Sequence, residues 1–293
     1  MEANIKMIID VSYSQGKIDY KALANSKTVD GIIIRAGFGK NNIDTQFSNN
    51  IIGAVKYGIP IGIYWFSYAY TTEMARREAE YCLSAIKGFK ISLPIFFDWE
   101  YDSDAYARKQ GVKPTKDLIT RMNKAFCKTI EKAGYVAGFY TNLDYEQNKI
   151  DCSKLTDYVK WYAQYADKAQ SDYDLWQYSS KVKLAGITAN TVDANKPSAE
   201  FRKRFLEKKL TAPLPTLDQG NTGTRVYNLQ SCLNSLGITD DSNAMLKLDG
   251  IYGIKTAQAV SKFKKKYNLV SNNGSHYGSK MYAKLKTLME EGA

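Results

Sequence analysis

Short apolar runs rich in β-branched residues recur through the first 195 residues, over 7–11, 31–35, 61–68, 93–98, 137–141, 160–164, 175–178 and 187–193. Between the earlier runs the period changes. Over 45–56, 72–87 and 115–133 the apolar positions recur at helical spacing. In the last, Leu118, Met122, Phe126 and Ile130 stand four apart, which predicts an amphipathic helix. Thr115 after Pro114, with Asp117 and Gly134, supplies its start and stop signals. Strands alternating with helices predict a parallel sheet. A run apolar throughout, such as Gly31-Ile-Ile-Ile-Arg35, needs cover on both faces. Eight such strands in about 200 residues fit an irregular β/α (TIM-like) barrel of the α/β class. From Lys160 on, strands follow one another with little helix between them, so the outer ring of helices is expected to be incomplete.

The pattern breaks between Lys196 and Gly223. Lys203, Arg204, Lys208 and Lys209 lead into Ala212-Pro-Leu-Pro-Thr216, which reads as a stiff linker. Beyond it, helical spacing returns near 224–236, 255–267 and 279–289. Val226, Leu229, Leu233 and Leu236 make one apolar stripe; Val260, Phe263 and Tyr267 make another. The expected organisation is a barrel over 1–207, a linker over 208–216 and a small all-α three-helix domain over 217–293.

The net charge of +11 is spread over both parts of the chain and steers it toward polyanions, with nucleic acid and anionic cell-wall polymers as candidates. The densest cationic run, Lys262, Lys264, Lys265 and Lys266, reads as a solvated helix face. Cysteines at 82, 127, 152 and 232 show no paired spacing, and the one histidine is His276. A zinc centre and a His-dependent catalytic triad are therefore not expected, nor is any cofactor. The first ten residues lack the apolar stretch of a signal peptide, and no run is long enough to span a bilayer, so synthesis in the cytoplasm is expected.

The candidate chemistry lies in Leu93-Pro-Ile-Phe-Phe-Asp98-Trp-Glu100. Side chains two apart on a strand share a face, so Asp98 and Glu100 stand together while Trp99 points away. Burial and mutual repulsion raise at least one of two such carboxyls, as glycoside hydrolysis requires. The tripeptide alone is weak: Asp144-Tyr-Glu146 repeats it in a polar stretch, and a strand end with solvated acids also fits Asp98 and Glu100. Asp10 and Asp193 close two further apolar strands. Singly each fits a cap or loop bond; together with the pair they point to the carboxyl-end mouth of one barrel.

Several ordered segments carry a resemblance over roughly residues 5–205. They are Ile8-Ile-Asp10-Val-Ser-Tyr-Ser-Gln-Gly16, Gly62-Ile-Tyr-Trp-Phe-Ser67, Phe97-Asp98-Trp-Glu100, Gly138-Phe-Tyr-Thr-Asn142, Leu175-Trp-Gln-Tyr178 and Val192-Asp193-Ala-Asn195. In this order they resemble the family-25 glycoside hydrolases, which are N-acetylmuramidases. The resemblance implies that Glu100 is the general acid and that Asp98 orients the substrate's N-acetyl group for attack on the anomeric carbon. Direct displacement by water is the alternative. It also implies that Asp10 and Asp193 hold the geometry and that Tyr64, Phe66, Tyr140, Trp161 and Gln177 line the sugar groove.

The segments Val226-Tyr-Asn-Leu-Gln230 and Leu248-Asp-Gly-Ile-Tyr-Gly253-Ile-Lys-Thr256 resemble three-helix peptidoglycan-binding modules, with Tyr252 a candidate wall contact. The implied protein is a monomeric endolysin-like lysozyme acting on peptidoglycan and anionic wall polymers, not on nucleic acid or membrane. Without a signal peptide, it would reach the wall after release from the cell. A host autolysin and a catalytically silent wall-binding protein are the alternatives.

Overall fold

The computed structural model describes residues 7–206, 216–269 and 274–290. Contacts divide the chain into two compact units, 1–206 and 207–293. In the first, eight strands form a closed ring: β1 (Met7–Val11), β2 (Val29–Phe38), β4 (Ile61–Phe66), β5 (Ile95–Asp98), β6 (Ala137–Asn142), β7 (Val159–Ala163), β8 (Leu175–Leu184) and β9 (Ile187–Pro197). The two-residue β3 (Asn42–Ile43) pairs only with the end of β2. Neighbours from β1 through β2 to β8 run parallel. β9 departs from the parallel expectation and lies antiparallel to both β8 and β1. It returns from β8 through a short hairpin, whereas a parallel neighbour needs a crossover of a dozen residues or so.

Helices α1 (Tyr20–Asn25), α2 (Phe47–Lys56), α3 (Thr72–Ala85), α4 (Tyr101–Lys109), α5 (Lys116–Lys132) and α6 (Leu143–Asn148) follow strands up to β6. No α-helix separates β7, β8 and β9, so the outer ring is incomplete as expected. Alternation along each strand makes two cores. Outward residues such as Ile9, Ile34, Ile63, Trp65 and Phe97 meet Ile51, Cys82, Met122 and Phe126 of the helices. Inward residues Ile8, Ile33, Phe96, Val159, Trp161 and Leu175 fill the barrel together with Phe201 of α7 (Ala199–Phe201). Gly138 is required here, because a Cβ on it would come within 2.5 Å of the Phe96 ring. The periodicity did not announce α4: it has no apolar stripe. Its acids in the first turn and bases in the last turn complement the helix dipole instead.

The second unit packs α8 (Thr224–Ser235), α9 (Ile254–Lys266) and α10 (Ser279–Glu290) through Val226, Leu229, Leu233, Val260, Phe263 and Leu285. It is not purely helical: β10 (Leu217–Asp218) pairs with β11 (His276–Tyr277), a ladder too short to leave a periodic signal. Gln230 holds the Asp249–Gly253 turn, donating to Asp249 Oδ1 at 2.9 Å and accepting from the Gly250 N–H at 2.9 Å. Tyr252 is corrected by the structure. Its side chain is 0% exposed and its hydroxyl donates to the Gly274 carbonyl at 2.8 Å, so it pins the core and presents nothing to a wall. Lys264 is likewise buried, unlike its run of neighbours. The expected linker up to Pro215 lies outside the described residues.

Candidate active site

β5 delivers the acid pair. Phe96 and Asp98 face into the barrel, while Trp99 turns outward and donates its indole N–H to the Ala69 carbonyl at 3.0 Å. Glu100 is the N-cap of α4. Its backbone N–H donates to Ser103 Oγ at 3.0 Å, and Ser103 Oγ donates to the Ser67 carbonyl at 2.6 Å. The Ser67 N–H in turn donates to the Asp98 carbonyl at 2.7 Å, so the end of β5 is tied to the loop after β4. Asp98 is 4% exposed; Glu100 is half-buried. The two carboxyls share a hydrogen bond. Asp98 Oδ1 is buried without a partner.

Asp10 and Asp193 face each other across the β1–β9 ladder. Asp10 accepts from Asn195 Nδ2 at 2.7 Å and from Gln177 Nε2 at 3.1 Å. Gln177 Oε1 accepts from the hydroxyls of Tyr140 at 3.1 Å and Tyr165 at 3.3 Å; Asn195 Oδ1 accepts from the Trp161 indole at 2.7 Å.

Burial disfavours charge on all four acids. It pushes Asp10 up to about 8, reinforced by the charge of Asp193, and pushes Asp193 up to about 6. Glu100 rises to about 7 by burial, with the Asp98 hydrogen bond pulling down and the charges of Asp102 and Asp193 pushing up. Asp98 lies well above the ordinary carboxylate range through burial and then its neighbours Glu100 and Asp10, against a weaker pull from Arg35. That guanidinium is already committed: Nε and Nη2 both donate to Asp44 Oδ2 at 2.7 Å, and it stacks 4.8 Å from the Tyr13 ring. None of the four acids forms an ion pair with a described residue.

The structure therefore gathers Asp10, Asp98, Glu100 and Asp193 at one mouth. The aromatic residues divide by depth. Trp161 is 2% exposed, with its ring 5.9 Å from Tyr64 and 5.0 Å from Tyr140, so these three make the floor beneath the acids. Gln177 is buried and holds Asp10. Phe66 alone of the expected groove residues is half-exposed; its ring lies 5.3 Å from Tyr68, which meets Tyr106 at 5.1 Å. This rim, with Asn195 and the Arg35–Asp44 pair, was not anticipated. Arg35 could have been found, since it approaches the end of its strand as Asp10 does. Among the described residues, no cluster of histidine, cysteine or acid side chains is arranged to hold a metal.

A closed β/α barrel with buried, uncompensated acids at the carboxyl ends of its strands defines a glycosidase-type site. The sequence model of the glycosyl hydrolases family 25 matches residues 9–187, more than half of the chain, and the chain belongs to that family. A second model, for a peptidoglycan binding domain, matches residues 222–274. Similar solved structures include the modular autolysin LytC from Streptococcus pneumoniae, at 28% identity and TM-score 0.58 over 65% of this chain. The chain spans only 46% of the length of LytC. The CTP1L endolysin is 25% identical, with TM-score 0.57, over 68% of each chain. The catalytic domain of endolysin ply40 from bacteriophage P40 of Listeria monocytogenes is 23% identical, with TM-score 0.58, over 69% of this chain and 97% of that one. No curated protein matches the chain.

Proposed function

We propose that the barrel hydrolyses the β-1,4 bond between N-acetylmuramic acid and N-acetylglucosamine in peptidoglycan, and that the C-terminal unit holds it on the wall. The observation that carries this reading is the Asp98–Glu100 pair, buried at the barrel mouth with no cation against it. Glu100 is the more open of the two, and burial raises its pKa to about 7, which makes a protonated fraction available near neutral pH. It donates that proton to the glycosidic oxygen as the C–O bond breaks. Asp98 Oδ1 lacks a partner and is suited to accept the N–H of the substrate's acetamido group. That bond favours ionised Asp98 and moves the shared proton onto Glu100, so substrate binding loads the acid. The acetamido oxygen then attacks the anomeric carbon, and ionised Asp98 stabilises the positive ring that forms. Water opens the ring with Glu100 as base.

Two carboxyls in hydrogen-bond contact do not flank a sugar at the ~5 Å of a carboxylate nucleophile or the ~6.5–9.5 Å of a water route. Their contact supports the acetamido group as nucleophile. Asp10, Asp193 and Gln177 hold the floor, while Phe66, Tyr64, Tyr140 and Trp161 shape the groove. The net charge of +11 draws the chain to anionic wall polymers. Lysis of the endolysin type fits the likeness to two endolysins, and LytC is the support for an autolysin role. Mass spectrometry of digested peptidoglycan tests the bond: fragments with reducing-end muramic acid are expected, and reducing-end glucosamine or freed amino groups overturn the proposal.

A further inference from the structure

Helix α3 buries Ala75, Glu78, Ala79 and Cys82, and Glu78 is the charged member of that stripe, at 3% exposed. The cations of α3 are committed elsewhere: Arg76 pairs with Glu73 and Glu80, and Arg77 with Glu73, all on its exposed side. A buried acid without a counter-charge is costly, and an apolar side chain would pack this helix at less cost. Glu78 is therefore explained by what its carboxyl holds, not by the packing of α3.

What it holds is the turn over 67–69 that follows β4. Oε1 accepts the Tyr68 N–H at 3.0 Å, and the Ser67 hydroxyl faces the same carboxyl. Oε2 is buried without a partner. The Ala69 N–H closes the turn onto Ser67 Oγ at 3.0 Å. From its other side the turn grips three consecutive residues at the end of β5. The Ser67 N–H donates to the Asp98 carbonyl at 2.7 Å, and the Ala69 carbonyl accepts the Trp99 indole N–H at 3.0 Å. The Ser67 carbonyl accepts from Ser103 Oγ at 2.6 Å, and that oxygen accepts the Glu100 N–H at 3.0 Å. The same turn carries the Tyr68 ring, which lies 5.3 Å from Phe66 and 5.1 Å from Tyr106 on the rim.

We propose that Glu78 is a positioning residue for glycoside hydrolysis. From outside the barrel it fixes the 67–69 turn, and the turn sets Asp98, Trp99 and Glu100 and holds Tyr68 at the mouth. The role in hydrolysis rests on the reading above; the link from Glu78 to Glu100 rests on the hydrogen bonds alone. A misplacement of about 1 Å at a reacting group costs on the order of 10²-fold in rate, so a loosened turn is felt in turnover more than in binding.

The test uses full-length protein, with kcat and KM on solubilised peptidoglycan measured per folded molecule well below each Tm, and with amide NMR of the same variants. Glu78→Leu, similar in size, is expected to lower kcat at least about tenfold with KM within about threefold of wild type. Glu78→Gln keeps an oxygen for the Tyr68 N–H and is expected to hold kcat within about twofold. Ser103→Ala cuts the link at its far end. It is expected to lower kcat by a similar factor and to add nothing further to Glu78→Leu, because both act through Ser67. Wild-type kcat in Glu78→Leu, whatever its Tm, overturns the proposal, as do equal losses in the Leu and Gln variants or fully additive losses with Ser103→Ala. Ser67→Ala removes the hydroxyl that faces Glu78 and gives the reading should Glu78→Leu misfold: a severalfold loss of kcat is expected, and wild-type kcat overturns the link. The amides of Glu100 and Ser103 are expected to shift in Glu78→Leu. Wild-type protein that cuts glycan, with neither a turnover loss nor an amide shift in Glu78→Leu, defeats the positioning role alone. Wild-type protein that cuts no glycan while the amides shift defeats the hydrolase reading and leaves the link standing.

Discussion

The barrel contains the same acid spacing twice, and the two copies behave differently. Asp98-Trp-Glu100 ends an inner strand, whereas Asp144-Tyr-Glu146 lies in helix α6. Asp144 accepts from the Tyr101 hydroxyl at 3.1 Å and from Asn148 Nδ2 at 2.8 Å. The Glu146 side chain is 12% exposed, nearly as enclosed as the Asp98–Glu100 pair, but it is ion-paired with Lys160. Burial is therefore not the distinguishing feature. Lys160 meets Glu146 of the second pair, while Arg35, whose charge acts on Asp98, is engaged by Asp44. Acids become proton donors near neutral pH where enclosure comes without a counter-charge.

The sharpest break of this comparison is Glu100→Gln against Glu146→Gln. Loss of the proposed general acid is expected to lower turnover on purified walls by about 10³-fold with binding retained. The Glu146 variant should keep its turnover per folded molecule. It should instead lose about 1–2 kcal/mol in denaturant unfolding, less than for a fully buried pair because Asp172 still meets Lys160 at 3.0 Å. Full lysis by Glu100→Gln, or lost turnover in Glu146→Gln, would erase the distinction between the two pairs.

The next effect concerns pH. Glu100, Asp10 and Glu78 have pKa values raised in the folded protein, to about 7, 8 and 7. Such groups bind protons more tightly folded than unfolded, so their contribution to stability is full below their unfolded values and is lost as pH rises through 7 to 8. The Tm should fall between pH 5 and pH 8. Glu78 lies outside the site: it accepts the Tyr68 N–H at 3.0 Å and its other oxygen has no partner. Glu78→Gln should therefore stabilise the protein by roughly 2 kcal/mol at pH 8 and by little at pH 5; an equal change at both would show that its burial does not govern ionisation. The smallest effect is expected from Asp102→Asn, since the Asp102 charge raises Glu100. The alkaline limb of kcat/KM should move down by about 0.3 of a pH unit, which a pH–rate profile resolves.

Much of the barrel was legible because its strands report their own burial. Runs such as Ile32-Ile-Ile34 have no soluble alternative, and Leu118, Met122, Phe126 and Ile130 mark the helix that covers them. The order of motifs also brought Asp10, Asp98, Glu100 and Asp193 into view. Residues whose environment comes from distant chain were not legible. Tyr252 has the composition of a binding residue and the position of a core residue. Lys264 belongs to a cationic run but points where its neighbours do not. Helix α4 escaped because charge, not periodicity, shapes it.

By itself the sequence determined the strand and helix pattern, the acids at strand ends and the family, since all of these follow from local spacing and motif order. Only the tertiary structure decided that β9 would reverse direction, that Asp10 would face Asp193, that Gln177 and Asn195 would hold Asp10, and that Arg35 would be engaged by Asp44. The physical reason is that ionisation and hydrogen bonding depend on what surrounds a side chain in space. Here those surroundings come from segments up to 185 residues apart along the chain.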